Sequence, residues 1–201
     1  MTRGHAEALM PMVEAAMAEA RLDYSDLDLI ATTVGPGTFT GVRVGISAAR
    51  ALALAADLAI AGVSTLEAIA HGVARERRAG HAVAAAIDAR RGEVYVQAFG
   101  IDLAPLGPPR ALTPAAATEC LPAGPVILAG DGAALVAAVA ERARHDLAIV
   151  ESPCLPDAAV VAEMCAHRYS RSSAALPRQP PKPLYLRPPG AQPATGDRAD
   201  G

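Results

Sequence analysis

Aromatic side chains are scarce: the 201-residue chain has no Trp, four Tyr and two Phe. With 52% of residues hydrophobic, a real core is available, but it must be built from close-packed alanine and aliphatic side chains. Cysteine is nearly as rare. Cys120, Cys154 and Cys165 are scattered and odd in number, with no CxxC pair and no Cys/His cluster at zinc spacing. That excludes a disulfide framework and a zinc module, and it predicts a reduced, cytoplasmic protein. Each cysteine reads as a small buried hydrophobe. Basic runs are missing as well, and the net charge is −3. A chain that grips RNA by its phosphates carries a basic patch, so direct tight RNA binding is not expected. No stretch reaches the roughly 20 apolar residues of a membrane span. The run from Ala48 to Val63 comes nearest, and Arg50 and Asp57 interrupt it. The opening Met1-Thr2-Arg3-Gly4-His5 has no secretory hydrophobic region.

What is present alternates between strand and helix, the pattern of an α/β protein. Leu9, Val13 and Met17 share one face of a helix predicted from His5 to about Arg21, with Pro11 in its first turns. Asp28 to Val34 reads as a buried strand ended by Gly35-Pro36-Gly37. A long helix follows from about Thr40 to Ala56, then a strand from Ala59 to Val63. Ser64 and Glu67 have capping-box spacing for a helix running to about Arg78. The charged stretch Arg75 to Gly80 marks a lobe boundary, giving a first lobe over 1–78 and a second over 79–171. In the second, His81–Asp88 and Glu93–Phe99 alternate around Ala89-Arg90-Arg91-Gly92 as a hairpin. A short helix from Pro114, a strand Val126–Ala129 and a Gly130-Asp131-Gly132 turn come next. A helix to about Arg144, a strand Leu147–Val150 and a helix Pro156–Ser170 complete the pattern. The tail over 172–201 is rich in Pro, Ser and Gly, which predicts disorder, except for an anchor at Leu184-Tyr185-Leu186-Arg187.

Two features carry candidate chemistry. The turn containing Gly35, Gly37 and Thr38 joins a strand to a helix N-terminus, a geometry that can present backbone N–H groups to a phosphate. It is neither a P-loop nor GxGxxG. On physics alone a plain reading is the stronger one: Pro36-Gly37 suits a type II turn, and Thr38 or Thr40 caps the helix. Gly41, Gly45, Ala49 and Ala53 recur every four residues. Glycine within a soluble helix costs about 1 kcal/mol against alanine, so the stripe implies close approach by another backbone. Spacing alone leaves open whether that backbone is internal or a partner's. The five histidines sit far apart and form no HExxH or Ser-His-Asp arrangement.

Taken together, GPGTFTGVRVGISAARALA (Gly35 to Ala53), GHAEALMP (Gly4 to Pro11), DARRGEVYVQAF (Asp88 to Phe99) and PLYLR (Pro183 to Arg187) resemble the TsaB (YeaZ) family. The resemblance implies a two-lobed actin/sugar-kinase-like (ASKHA) fold. It implies a non-catalytic dimerisation subunit for threonylcarbamoyladenosine modification of tRNA beside the anticodon. Its implied partners are the transferase TsaD, a paralogue of the same fold, and the small ATPase TsaE, with tRNA reached only through the complex and a homodimer open when the chain is alone. Docking would use the two N-terminal helices, through His5, Leu9, Met12, Val13 and Met17 on the first and Gly41, Gly45 and Ala49 on the second. The transferase carries a metal-binding HxxxH; aligned through PG-x₃-G-x₃-G, its positions fall here on Thr65 and Ile69, which cannot replace two imidazoles. No metal, cofactor or catalytic residue is therefore expected. Family members open with strands bearing an Asp-Thr or Asp-Ser motif before GHAEALMP, so the opening strands of the first lobe are expected to be missing here. An independent nucleotide-binding enzyme of the sugar-kinase class is the main alternative, and a glycopeptidase-like metalloprotease a weaker one.

Overall fold

The computed structural model describes residues 5–140, 147–149, 154–170 and 179–187. Helix α1 (His5–Ala20) leads through a short 3-10 turn to strand β1 (Leu29–Thr33), helix α2 (Phe39–Ala55) and strand β2 (Ala59–Val63). β1 and β2 pair in parallel, from Leu29 opposite Ala59 to Thr33 opposite Val63. Period-2 alternation gives this small sheet two working faces. Ile30 and Ile60 meet Ala49 and Ala53 of α2. Leu29, Ala31, Ala61 and Val63 meet helix α6 (Ala158–Ser170) through Val161 and Cys165.

The second sheet has the order β5-β4-β3-β6-β7. Its strands are β3 (Ala82–Arg90), β4 (Glu93–Phe99), β5 (Arg110–Leu112), β6 (Val126–Ala129) and β7 (Leu147–Ile149). β3 and β4 form the predicted hairpin, and β6 and β7 extend the sheet in parallel. β3 is buried on both faces. Ala82, Ala84 and Ala86 join a core with helix α5 (Ala133–Ala140) and with Ala117 of helix α4 (Pro114–Thr118). Val83 and Ala85 join the opposite core with Phe99, Leu103 and helix α3 (Thr65–Gly72). Alanine is what lets helices sit this close to a central strand.

The packing crosses residue 78 in both directions. α3, on the first-lobe side of that division, lays Leu66, Ile69 and Ala70 on the second sheet. α6, on the other side, covers the first sheet. The two sheets thus share α3 as a common wall.

Three local expectations change. The helix after Ser64 ends at Gly72 rather than near Arg78, because Val73 turns inward and is buried beside Leu66 and Ile69. The Ser64–Glu67 capping box does not form. The Ser64 hydroxyl is buried with no partner among the described residues, and the Glu67 carboxylate pairs with Arg168 at 2.9 Å instead of reaching back to the N-cap. Strand β5 was not predicted, since Arg110-Ala111-Leu112 is too short to show a period. The predicted segments over 141–146 and most of the tail lie outside the described residues.

Candidate functional site

A cleft of about 700 Å³ opens between the lobes. Its base is α3, represented by Thr65 and Ile69; one wall is the turn Pro36–Phe39, and the other is Ile87–Arg91 with Tyr95 and Asp131. The tail residues Leu184–Arg187 also line it.

The first wall is built by the segment read as a phosphate-proximal turn. Thr38 is the N-cap of α2, its hydroxyl accepting from Gly41 N–H at 3.2 Å. Gly37 and Thr38 line the cleft. Gly35 is buried with φ +105°, and a Cβ there would stand 2.8 Å from the Leu184 carbonyl oxygen. The close approach that this glycine permits is used by the chain's own tail. The Gly35–Pro36 peptide bond is cis.

The opposite wall is the hairpin tip. Asp88 Oδ1 accepts from Arg90 N–H at 2.7 Å, and its other oxygen pairs with the Arg90 guanidinium at 3.0 Å. Asp131 Oδ1 accepts from Asp88 N–H at 2.9 Å, fixing the Gly-Asp-Gly turn to β3. Arg90 and Arg91 lie in the left-handed region, at φ +61° and +56°. That region is costly for side chains of this size, so the tip is held by its surroundings. A second groove, between α3 and α6, contains His71, Glu163, His167 and the Glu67–Arg168 pair. Burial draws the His71 imidazole below its ordinary pKa, opposed by the charge of Glu67. Among the described residues no group of three or more His, Cys, Asp or Glu is placed to hold a metal ion. Ile69 sits fully buried in the core and Thr65 nearly so.

The residues expected to face a partner separate into two groups. α1 lies at the surface and packs on α2. Leu9, Val13 and Met17 are half-buried along it, while Met10 and Met12 are exposed; His5 opens the helix. The small-residue stripe of α2 resolves differently. Ala49 and Ala53 are buried against the first sheet, and a Cβ on Gly45 would meet Thr32 Oγ1 of β1 at 3.7 Å. The internal alternative for this spacing holds, which corrects the placing of Ala49 at a partner surface. Gly41 is exposed beside the Thr38 cap. α2 turns Leu54 outward instead, 81% exposed. The sequence reading missed Phe39, Arg43 and Asp131 as site residues. The Tyr185 anchor was legible, but its partners on α2 lie some 140 positions away in the chain.

The comparisons with known proteins agree with this architecture. The family model "TsaD: tRNA N6-adenosine threonylcarbamoyltransferase" matches residues 1–103. The tRNA threonylcarbamoyladenosine biosynthesis protein TsaB of Escherichia coli is 46% identical over 93 residues, 46% of this chain and 40% of that protein. The chain thus matches less than half the length of that curated relative. An uncharacterised protein of Mycobacterium bovis is 36% identical over 191 residues, 95% of this chain and 79% of its own. The solved structure of YeaZ from Pseudomonas aeruginosa superposes with a TM-score of 0.75 at 32% identity, covering 92% of this chain and 85% of that one. The mixed α/β fold, the matched family model and these relatives lead to one assignment: the chain belongs to the TsaB (YeaZ) family, within the wider TsaD-type family.

Proposed function

We propose that this chain is a non-catalytic accessory subunit of tRNA threonylcarbamoyladenosine biosynthesis, acting in the cytoplasm by docking to a TsaD-type transferase. TsaE would join that pair, tRNA would be met only through the complex, and the same surface would allow a homodimer when the chain is alone. The observation that carries the reading is the outer surface of α1 and α2, where Met10, Met12 and Leu54 stand exposed. Exposed methionines suit a contact that must adapt to its partner. Thr65 and Ile69, at the positions where the transferase would carry its HxxxH, support a docking role over a catalytic one. The half of the chain matched by the TsaD model includes both helices, as expected if two related subunits pair through related elements.

The test is substitution on this outer face. Leu54→Asp and Met12→Asp should each weaken binding to the transferase by roughly tenfold or more, the loss usual for an interface anchor. Melting of the isolated chain should hardly change, because both side chains face solvent. Unchanged affinity in both variants would rule this surface out. ATP turnover by the purified chain would instead favour the sugar-kinase-like reading.

A further inference from the structure

We propose that Pro181–Arg187 is an interlobe clamp that sets the width of the cleft. The segment is bound at one end beside β1, β2 and α2 and at the other to the β3–β4 hairpin tip, and its residues Leu184–Arg187 line the cleft.

The first-lobe end is anchored at three separate elements. Pro181 packs on β2, where a Cβ on Gly62 would come within 2.9 Å of its ring. Leu184 N–H donates to the Val34 carbonyl at 2.7 Å, just beyond β1. The Tyr185 hydroxyl accepts from Arg43 Nε–H at 2.8 Å, and its ring lies 5.3 Å from that of Phe39. Arg43 also stacks over Phe39 at 3.7 Å from the ring centre. This end grips the first turns of α2.

The second-lobe end is one side chain. Arg187 donates to the carbonyls of Ala89 and Arg90 at 3.2 and 3.5 Å and pairs with Glu93. Its guanidinium also lies 5.9 Å from the Tyr95 ring centre. Arg90, one of the two residues whose carbonyls it binds, has a φ of +61°, so Arg187 holds a carbonyl of a residue in a costly conformation. A planar fork of donors suits two adjacent carbonyls and a carboxylate at once. The two ends differ in kind: aromatic packing and a backbone bond on one side, polar contacts on the other. Residues of α3 and of this segment both line the cleft, so its two walls are tied to each other through both.

The clamp predicts coupling between ends that do not touch. Hydrogen exchange on the full-length chain would be measured for Arg187→Ala, Tyr185→Ala and the double variant. Either single change should speed exchange about tenfold at Asp88 and Arg90 on one wall and at Gly41 and Val42 on the other. Core amides of β3 and β6 should keep their protection. The double variant should add little to either single one, since both cut the same tie. Effects confined to the mutated end, or additive in the double variant, would overturn the proposal. So would uniform acceleration of the core amides, which would make the segment merely part of the folded core. Arg187→Lys, which keeps the charge without the fork, should fall between wild type and Arg187→Ala; protection equal to wild type in all four proteins would also count against the clamp.

Discussion

Gly130 occupies the most demanding backbone position in the second lobe. Its φ is +102°, and a Cβ there would collide with the Ala86 carbonyl oxygen of β3. Gly130→Ala should therefore cost about 2–3 kcal/mol, combining an unfavourable dihedral with a clash against a central strand that cannot retreat. Gly92, at φ +77° with open space around it, carries only the dihedral cost. Gly92→Ala should lose about 1 kcal/mol, and paired thermal melts of the two variants check the difference. The thiols make a second prediction at this scale. Cys165 is fully buried, and desolvation raises its thiol pKa, with Arg168 partly opposing. Less thiolate and no access both slow alkylation. Exposed Cys154 should label first, half-buried Cys120 more slowly, and Cys165 only on unfolding, as peptide mass spectrometry would show. Simultaneous labelling of Cys154 and Cys165 in folded protein would contradict the packing of α6.

At the scale of elements, α2 shows what a sequence can and cannot reveal. Its four-residue spacing of small side chains announces close packing, yet the identity of the neighbour is a tertiary fact. Thr32, Ile30 and Ile60 of its own sheet take that place. Gly45→Leu should accordingly lower the melting temperature of the isolated chain by several degrees, since overpacking costs about 1–3 kcal/mol. An unchanged melt with weakened partner binding would reverse the assignment. The hairpin, by contrast, was legible because alternation and Gly92 are local signals, and Ala84 and Ala86 sit where their period puts them. The helix after Ser64 stops six residues short of the expected end, because Val73 leaves the helix to pack beside Leu66 and Ile69, a tertiary contact that no local signal announces. The cleft itself was only half visible. The turn at Gly35–Thr38 could be named in advance, while the guanidinium of Arg187 reaches it from a distant part of the chain that no periodicity marks.

Over the whole molecule, two sheets share α3, a tail segment spans the cleft between them, and α1 lies outermost against α2. This layout separates the tasks. The cleft is lined in large part by groups already engaged with one another: Thr38 with its helix, Asp88 with Arg90, Arg187 with Glu93. The outer surface of α1 and α2 carries apolar side chains that the described residues do not cover. Among the described residues no helix is long and apolar enough to cross a membrane. The most direct test is titration of the transferase from the same organism into the purified chain, followed by calorimetry. The account predicts saturable one-to-one binding with a Kd of about 1 μM or tighter, weakened roughly tenfold or more in Leu54→Asp. No detectable heat or complex at transferase concentrations near ~100 μM would contradict it.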